Sequence, residues 1–341
     1  MSENQTKPAP PDWRTDTLKC WQRLPNKAFF FALLAVWAVL FQFWGNSILG
    51  YVHTPSLFEW LYNFYNVGGE QNDNTYGNLI PFLVIGIFWW KRKEMLALPL
   101  NLWWPGLLLL AGALLLHILG YVVQQTFLSV FALFIGIYAL MGLAWGREWL
   151  RHSSYPFFLF VFSVPLTALL SVVLFRLQLL QSWLAETVSH IIGISVIRQG
   201  TQLLNPSGNY GYDVAPACAG MRSSIALFLL ATVVAFGILR RPGYRILLMA
   251  LAVPFAVLGN LLRLLIIIIA AEMGGQKWGD WIHVGCPFYL PFHKYLPFFL
   301  HDQIVLGNLL PYVPGIIGLL WVGRVLEKRE RKKRPATKEH P

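Results

Sequence analysis

Charge is scarce in this chain. Asp, Glu, Lys and Arg make up 13% of its 341 residues, about half the share of roughly 25% usual in soluble globular proteins. Acidic residues are the scarcer kind, 16 against 27 Lys and Arg, which leaves a formal net charge of +11. The three cysteines are too few for a disulfide scaffold, and no segment repeats at a fixed period. These shortages exclude a disordered tail protein, a coiled coil and an ordinary cytosolic enzyme.

Apolar side chains fill the space that charge leaves. AVILMFWYC account for 56% of the chain and the mean hydropathy is +0.52. A bilayer core of about 30 Å needs about 20 apolar helical residues at about 1.5 Å each. Such runs occur at about 28–49, 77–90, 103–122, 127–145, 155–175, 219–239, 246–271 and 303–323, the second being short. Between the fifth and sixth runs, Leu177, Leu180, Leu184, Val188 and Ile191 recur at helical spacing. Gln178, Gln181, Ser182, Glu186 and Ser189 lie between them. This pattern predicts an interfacial amphipathic helix over 174–197, or else the end of a long fifth helix. The expected fold is all-α: a polytopic membrane helix bundle of about eight transmembrane helices plus one interfacial amphipathic helix.

The basic excess is unevenly placed. Five Lys and Arg precede the first run, and Lys91, Arg92 and Lys93 follow the second. Arg147 and Arg151 follow the fourth, Arg240, Arg241 and Arg245 the sixth, and eight more follow the last. The opposite side holds only Arg176, Arg198, Lys277 and Lys294. The positive-inside rule therefore puts both termini in the cytoplasm of an inner-membrane protein, and nucleic acid drops out as a partner. Three segments follow: 1–27, a cytoplasmic N-terminal segment without a cleavable signal; 28–323, the transmembrane domain; and 324–341, a basic cytoplasmic tail.

Two arginines, Arg222 and Arg263, fall inside apolar runs, where charge is costly and marks function by default. Pro216 keeps the approach to the sixth run from being helical, so Cys218 falls at that helix's outer mouth. The positive end of the helix dipole favours a thiolate there, and Arg222 lies one turn on. Arg263 belongs to the outer third of the seventh helix, above Pro254, Gly259 and Asn260, residues that loosen or kink a helix. Its helix offers no carboxylate nearer than Glu272. His301, followed by Asp302, opens the last helix at the same membrane face. A thiol, an imidazole and a guanidinium brought together there make an acyl-transfer nucleophile with an oxyanion holder.

Other readings of these residues stay open. Cys218 could be a small buried hydrophobe or half of a disulfide with Cys286, and Arg263 could sit in a structural ion pair. His283, Cys286 and His293 could be taken as a metal cluster, but no fourth ligand of suitable spacing follows. No metal and no cofactor are expected. As a whole, the chain could instead be a transporter or channel whose arginines line an anion path, or a non-catalytic subunit of a surface-polysaccharide assembly. A path would need polar groups through the full membrane depth, and the inner halves of the sixth and seventh helices offer little beyond Thr232.

The motif Val214-Ala215-Pro216-Ala217-Cys218-Ala219-Gly220-Met221-Arg222 resembles the signature of the exosortase/archaeosortase family. Asn260-Leu261-Leu262-Arg263 resembles that family's N-x-x-R element, and His301-Asp302 its histidine before the last span. Thr75-Tyr76-Gly77-Asn78-Leu79-Ile80-Pro81, with the basic Lys91-Arg92-Lys93 beyond it, is similar to an early family stretch. The resemblance covers about residues 60–325. It implies a membrane cysteine transpeptidase for exported proteins carrying a C-terminal sorting signal: a short motif such as PEP, one span and a basic cluster. Cys218 would form the acyl-thioester, Arg263 would stabilise charge and the histidine would stabilise the transition state. Arg222, Asn260 and Asp302 would support them, and an amine on a lipid or polymer would accept the protein.

The chain departs from the family pattern in four places. Ala219 stands where the family usually has Ser, and Tyr76 where it has His. The Gly usual four residues after the histidine is absent, Gly307 coming at six. His283 lies at about the family's distance from Arg263, whereas His301 lies at its distance from the last helix. His301 is preferred because Asp302 and Leu309-Leu310-Pro311-Tyr312 fit the family's entry into that helix, with His283 as the alternative.

Overall fold

The computed structural model of the chain describes residues 13–48, 54–67, 75–164, 167–214, 221–283 and 312–332. They form α1 (Trp13–Arg23), α2 (Lys27–Trp44), α3 (Leu57–Asn66), α4 (Ile80–Leu96), α5 (Gly106–Val122), α6 (Thr126–Trp145), α7 (Arg147–Phe158), α8 (Thr167–Ile191), α9 (Met221–Ile238), α10 (Pro242–Gly274), α11 (Gln276–His283) and α12 (Tyr312–Lys332), with short 3₁₀ turns at Thr75–Leu79 and Leu159–Ser163. Between α8 and α9 stand three short strands, β1 (Ile197–Gln199), β2 (Gln202–Leu204) and β3 (Gly211–Asp213). Among these elements α2, α6 and α10 are long and apolar enough to cross a bilayer, and α5 and most of α9 are shorter apolar helices.

The chain divides into two compact units, residues 1–63 with 79–164, and residues 64–78 with 165–341. In the first unit α5 and α6 form an antiparallel hairpin, joined through His117 Nδ1 and Ser129 Oγ at 2.9 Å. α2 is pinned to α6 at both levels. Asn26 Nδ2 donates to the carbonyl of Ala144 at 2.9 Å, and Trp37 Nε1 donates to that of Leu133 at 3.0 Å. Each bond satisfies a polar group that lipid would leave unpaired.

In the second unit α9, α10 and α12 pack through Leu227, Ala231, Ala235, Leu248, Ala252, Ala256, Leu319 and Leu326. Ala231 with Ala235, and Ala252 with Ala256, are all fully buried. Small residues one turn apart let helix backbones approach closely where lipid is as apolar as leucine. A second cluster joins Ala185 of α8 to the strands (Leu203, Tyr212) and to the C-terminal half of α10 (Leu264, Ile267, Ile268, Ala271).

The structure departs from the sequence expectation at three points. The run at 155–175 is not one helix: α7 and its 3₁₀ turn end at Ser163, Val164 is extended (φ −79°, ψ 135°), and α8 starts at Thr167. Pro165 accounts for the break, because a residue before proline is pushed out of the helical region. Residue 164 is also where one unit ends and the other begins.

The stretch predicted as an interfacial helix is continuous in α8 with the end of the fifth run, as the alternative reading has it, and the faces expected of an interfacial helix are reversed. Gln178, Gln181, Ser182 and Ser189 are buried, while Leu180, Trp183 and Ile191 are exposed. A helix lying on a membrane would turn its polar stripe to water. α8 turns that stripe inward, where Gln181 Nε2 donates to the carbonyl of Val257 (3.2 Å) and Ser182 Oγ to that of Gly200 (3.1 Å). An apolar face is left outward, as lipid contact requires.

The small antiparallel sheet, in the order β1-β2-β3, is a further addition to the expected all-helical bundle. Gly200, at φ +65°, makes the tight turn between β1 and β2. Leu203 pairs with Arg198 on one side and with Tyr212 on the other. Side chains from neighbouring elements block both open edges. Glu186 of α8 accepts from the backbone N–H of Arg198 at 3.2 Å, and Gln276 accepts from that of Gly211 at 3.0 Å. Edges blunted in this way do not recruit further strands.

Candidate functional site

Arg263 lies about two thirds of the way along α10, a 33-residue helix about 50 Å long at about 1.5 Å per residue. Asn260, one turn earlier, is 1% exposed. No carboxylate among the described residues meets the guanidinium. Arg263 Nη2 donates to the backbone carbonyl of His283 at 3.0 Å, and Nε is buried without a hydrogen-bond partner among the described residues. The guanidinium–carboxylate pairs among those residues are Arg198–Glu186 and Arg331–Glu327. The ion-pair alternative for Arg263 therefore finds no partner among the described residues.

α11 brings His283 to this position. Gly275 ends α10 at φ +72°, a left-handed conformation that glycine adopts without penalty. The chain then re-enters a helix of eight residues, Gln276–His283. The His283 imidazole faces Tyr212 of β3, with ring centres 6.2 Å apart. Leu203, Tyr212, Asp213, Leu264, Ile267, Ile268 and His283 surround a void of about 10 Å³, room for one water molecule. Burial holds the imidazole below its ordinary pKa, the Arg263 charge adds to this, and Asp280 opposes it.

Tyr210, Gly211 and Tyr212 bind the turn between α10 and α11 in succession. Tyr210 Oη donates to Glu272 Oε2 at 2.9 Å, Gly211 N–H to Gln276 Oε1 at 3.0 Å, and Tyr212 Oη to the carbonyl of Gln276 at 3.3 Å. Asn205 Nδ2 also donates to Glu272 Oε2, at 3.2 Å, and Gln276 Nε2 to Asp280 Oδ1, at 2.8 Å. Gly279 is the point of closest approach, since a Cβ there would stand 1.8 Å from Tyr212 Oη. The Tyr212 phenol is pushed up to about 12 by burial, then by the charge of Asp280 and its side-chain hydrogen bond, with a smaller contribution from Tyr210.

The other residues singled out from the sequence are distributed as follows. Arg222 lies in the first turn of α9, its side chain outside the described atoms. Cys218, Cys286, His293, His301 and Asp302 lie outside the described residues. So do the expected meeting of Cys218 and His301 with Arg263, and the disulfide alternative. Among the described residues no three His, Cys, Asp or Glu side chains are grouped to hold a metal.

Sequence reasoning missed Tyr210, Tyr212, Gln276, Gly279 and Asp280. It read Glu272 only as a distant carboxylate. The turn signals Gly200-Thr201 and Asn205-Pro206-Ser207-Gly208, flanking short alternating runs, could have marked the hairpins. The C-terminal half of α9 and the N-terminal half of α10 pack apolar residues against each other. Thr232, buried between them, donates to its own helix at the carbonyl of Phe228 (2.7 Å). The described residues therefore offer no polar path through that depth.

A sequence model described as transmembrane exosortase matches residues 68–289, about two thirds of the chain. The match contains Cys218, Arg222, Asn260, Arg263 and His283 and ends before His301. No curated protein and no solved structure matches the chain.

Proposed function

This chain belongs to the transmembrane exosortase family, a multi-pass membrane protein, and from that premise we propose that it is a cysteine transpeptidase of exported proteins. Its substrates carry a C-terminal sorting signal of motif, span and basic tail. Eight spans hold both termini in the cytoplasm of the inner membrane, with the reaction at the outer face. The exposed indoles of Trp278 and Trp281 beside Lys277 suit the headgroup depth of that face.

Cys218 Sγ, its proton passed to His301, attacks the substrate carbonyl carbon. Arg263 stabilises the oxyanion by charge; an arginine does not act as the proton donor, because it scarcely deprotonates. Arg222, Asn260 and Asp302 support the three. Collapse breaks the C–N bond, His301 returns the proton to the leaving amine, and a thioester remains on Cys218. An amine on a lipid or polymer then attacks the thioester and regenerates the thiol. No cofactor takes part. His283 is the alternative imidazole: it lies inside the family match, beside Arg263, and is held neutral.

The observation that carries this reading is the guanidinium of Arg263, seated about two thirds of the way along α10 on a neutral carbonyl with no facing carboxylate among the described residues. Such a charge can meet an oxyanion as it develops. The test is Cys218→Ala in cells expressing an exported reporter fused to a sorting signal from the same genome. Full-length reporter should accumulate in the membrane. Normal processing in that variant ends the transpeptidase reading. Parallel His301→Ala and His283→Ala variants separate the two imidazoles, since only loss of the working one abolishes processing.

A further inference from the structure

Three consecutive residues of one strand segment, Tyr210, Gly211 and Tyr212, hydrogen-bond the turn that joins α10 to α11. The far end of α11 returns to α10 and supplies the carbonyl that holds Arg263. α11 is therefore a bridge with β3 docked on its beginning and the guanidinium on its end. Tyr212 is the contact with least freedom. Its ring is 8% exposed, its hydroxyl enters the space left by Gly279, and its ring faces His283.

β3 also leads toward the nucleophile. Val214 is 1% exposed, bonds through its N–H to the carbonyl of Thr201 at 3.1 Å, and packs in the cluster that includes Leu264. Cys218 follows four residues later, a reach of at most about 14 Å from that anchor. One docked strand thus fixes the origin of the cysteine's tether and, through α11, the seat of the arginine.

We infer that Tyr212 is a positioning residue, which holds the Arg263 guanidinium in its seat by locking β3 to α11. The inference rests on the roles proposed for Cys218 and Arg263. The phenol's raised pKa keeps it a neutral donor across the working range of pH.

The experiment measures the pH profile of Cys218 alkylation by a membrane-impermeant maleimide, in the full chain carrying Cys20→Ser and Cys286→Ser. In this background the thiol should titrate below the ordinary value of about 8.5, and Arg263→Ala should raise it. Tyr212→Phe should raise it by about one unit, slowing alkylation at pH 7 up to about tenfold, and should add nothing to Arg263→Ala. A purely structural role would not depend on the presence of Arg263.

If Tyr212→Phe leaves the profile unchanged while Arg263→Ala moves it, or if the two shifts add, the positioning role is overturned and the proposed chemistry stands. If Cys218 titrates as an ordinary thiol and ignores Arg263, the proposed chemistry falls as well. Gly279→Ala, which keeps the phenol but forces it and α11 apart, should move the profile in the same direction as Tyr212→Phe. A profile unchanged in that variant also overturns the role.

Discussion

Arg263 and His283 meet guanidinium to backbone. Nη2 donates to the carbonyl of His283 at 3.0 Å, while the imidazole turns to Tyr212. A peptide carbonyl orients the guanidinium without cancelling its charge. A carboxylate in the same place would neutralise it and lower its value to a substrate oxyanion.

An arginine held in this way for chemistry contributes little to folding. Arg263→Met keeps most of the apolar stem and removes a half-buried charge with no close counter-ion among the described residues. The melting temperature in detergent should stay equal or rise, as when strain at a functional site is relieved, while reporter processing falls by about 100-fold or more. Arg263→Lys keeps a charge but loses the planar fork and should recover only part of the rate. A large fall in melting temperature for Arg263→Met would instead mark a structural arginine.

His283 gives the folded protein a pH dependence of definite sign. Burial, assisted by Arg263 and opposed by Asp280, lowers its pKa from 6.5. The unfolded chain therefore takes up a proton at a pH where the folded chain does not. The neutral ring's contribution to stability is complete above pH 6.5 and is lost as pH falls below it, until the folded ring also protonates. Thermal unfolding between pH 5 and 7 should show this slope in the wild type, and His283→Gln should flatten it. An equal slope in both proteins would contradict the shift.

Gly279 tests the packing of α11 on β3. A Cβ at this position would stand 1.8 Å from Tyr212 Oη, 2.8 Å from its Cζ and 2.9 Å from Ala271 Cβ. The Tyr212 side chain or α11 must shift to admit it, at about 1–3 kcal/mol. Gly279→Ala should therefore lower the melting temperature by several degrees. Adding Tyr212→Phe should restore only part of the loss, because Cζ and the alanine methyl still crowd the site.

The broad class of this fold was legible because its cause is local. Unbroken apolar length marks α2, α6 and α10, and the density of such runs marks a membrane protein. The faces of α8 were misread for the opposite reason. Gln181 and Ser182 look like part of a water-facing stripe until Val257 and Gly200 are seen to accept their hydrogen bonds, and those partners lie 18 or more residues away. The break at Val164 was legible in principle from Pro165, but a run of apolar residues on both sides concealed it. Arg263 stood out as a charge where charge is costly. Its seat on His283 did not, because a backbone acceptor carries no residue signature. The role of Tyr212 depends on a sheet of three-residue strands, too short to stand out between long apolar helices.

The turn between α9 and α10 offers a final test. Glu330 of α12 accepts from the backbone N–H groups of Arg240 (3.0 Å) and Arg241 (2.6 Å), 90 and 89 residues away, where α10 begins. Its carboxylate therefore serves as the acidic group that a helix start favours and ties the last helix to the α9–α10 turn. Burial pushes its pKa up, but those two N–H groups and the charges of Arg241 and Arg245 outweigh it, and the net shift from 4.5 is downward. The contribution is present above about pH 4.5 and is lost as pH falls through the lowered value. Because the group is exposed, the effect is small. Glu330→Gln should lower the melting temperature by about 1–3 °C at pH 7 and less in high salt. Once pH has fallen below that lowered value the wild type and the variant should unfold together; a gap that persists there would mean that hydrogen bonding, not charge, carries the cap.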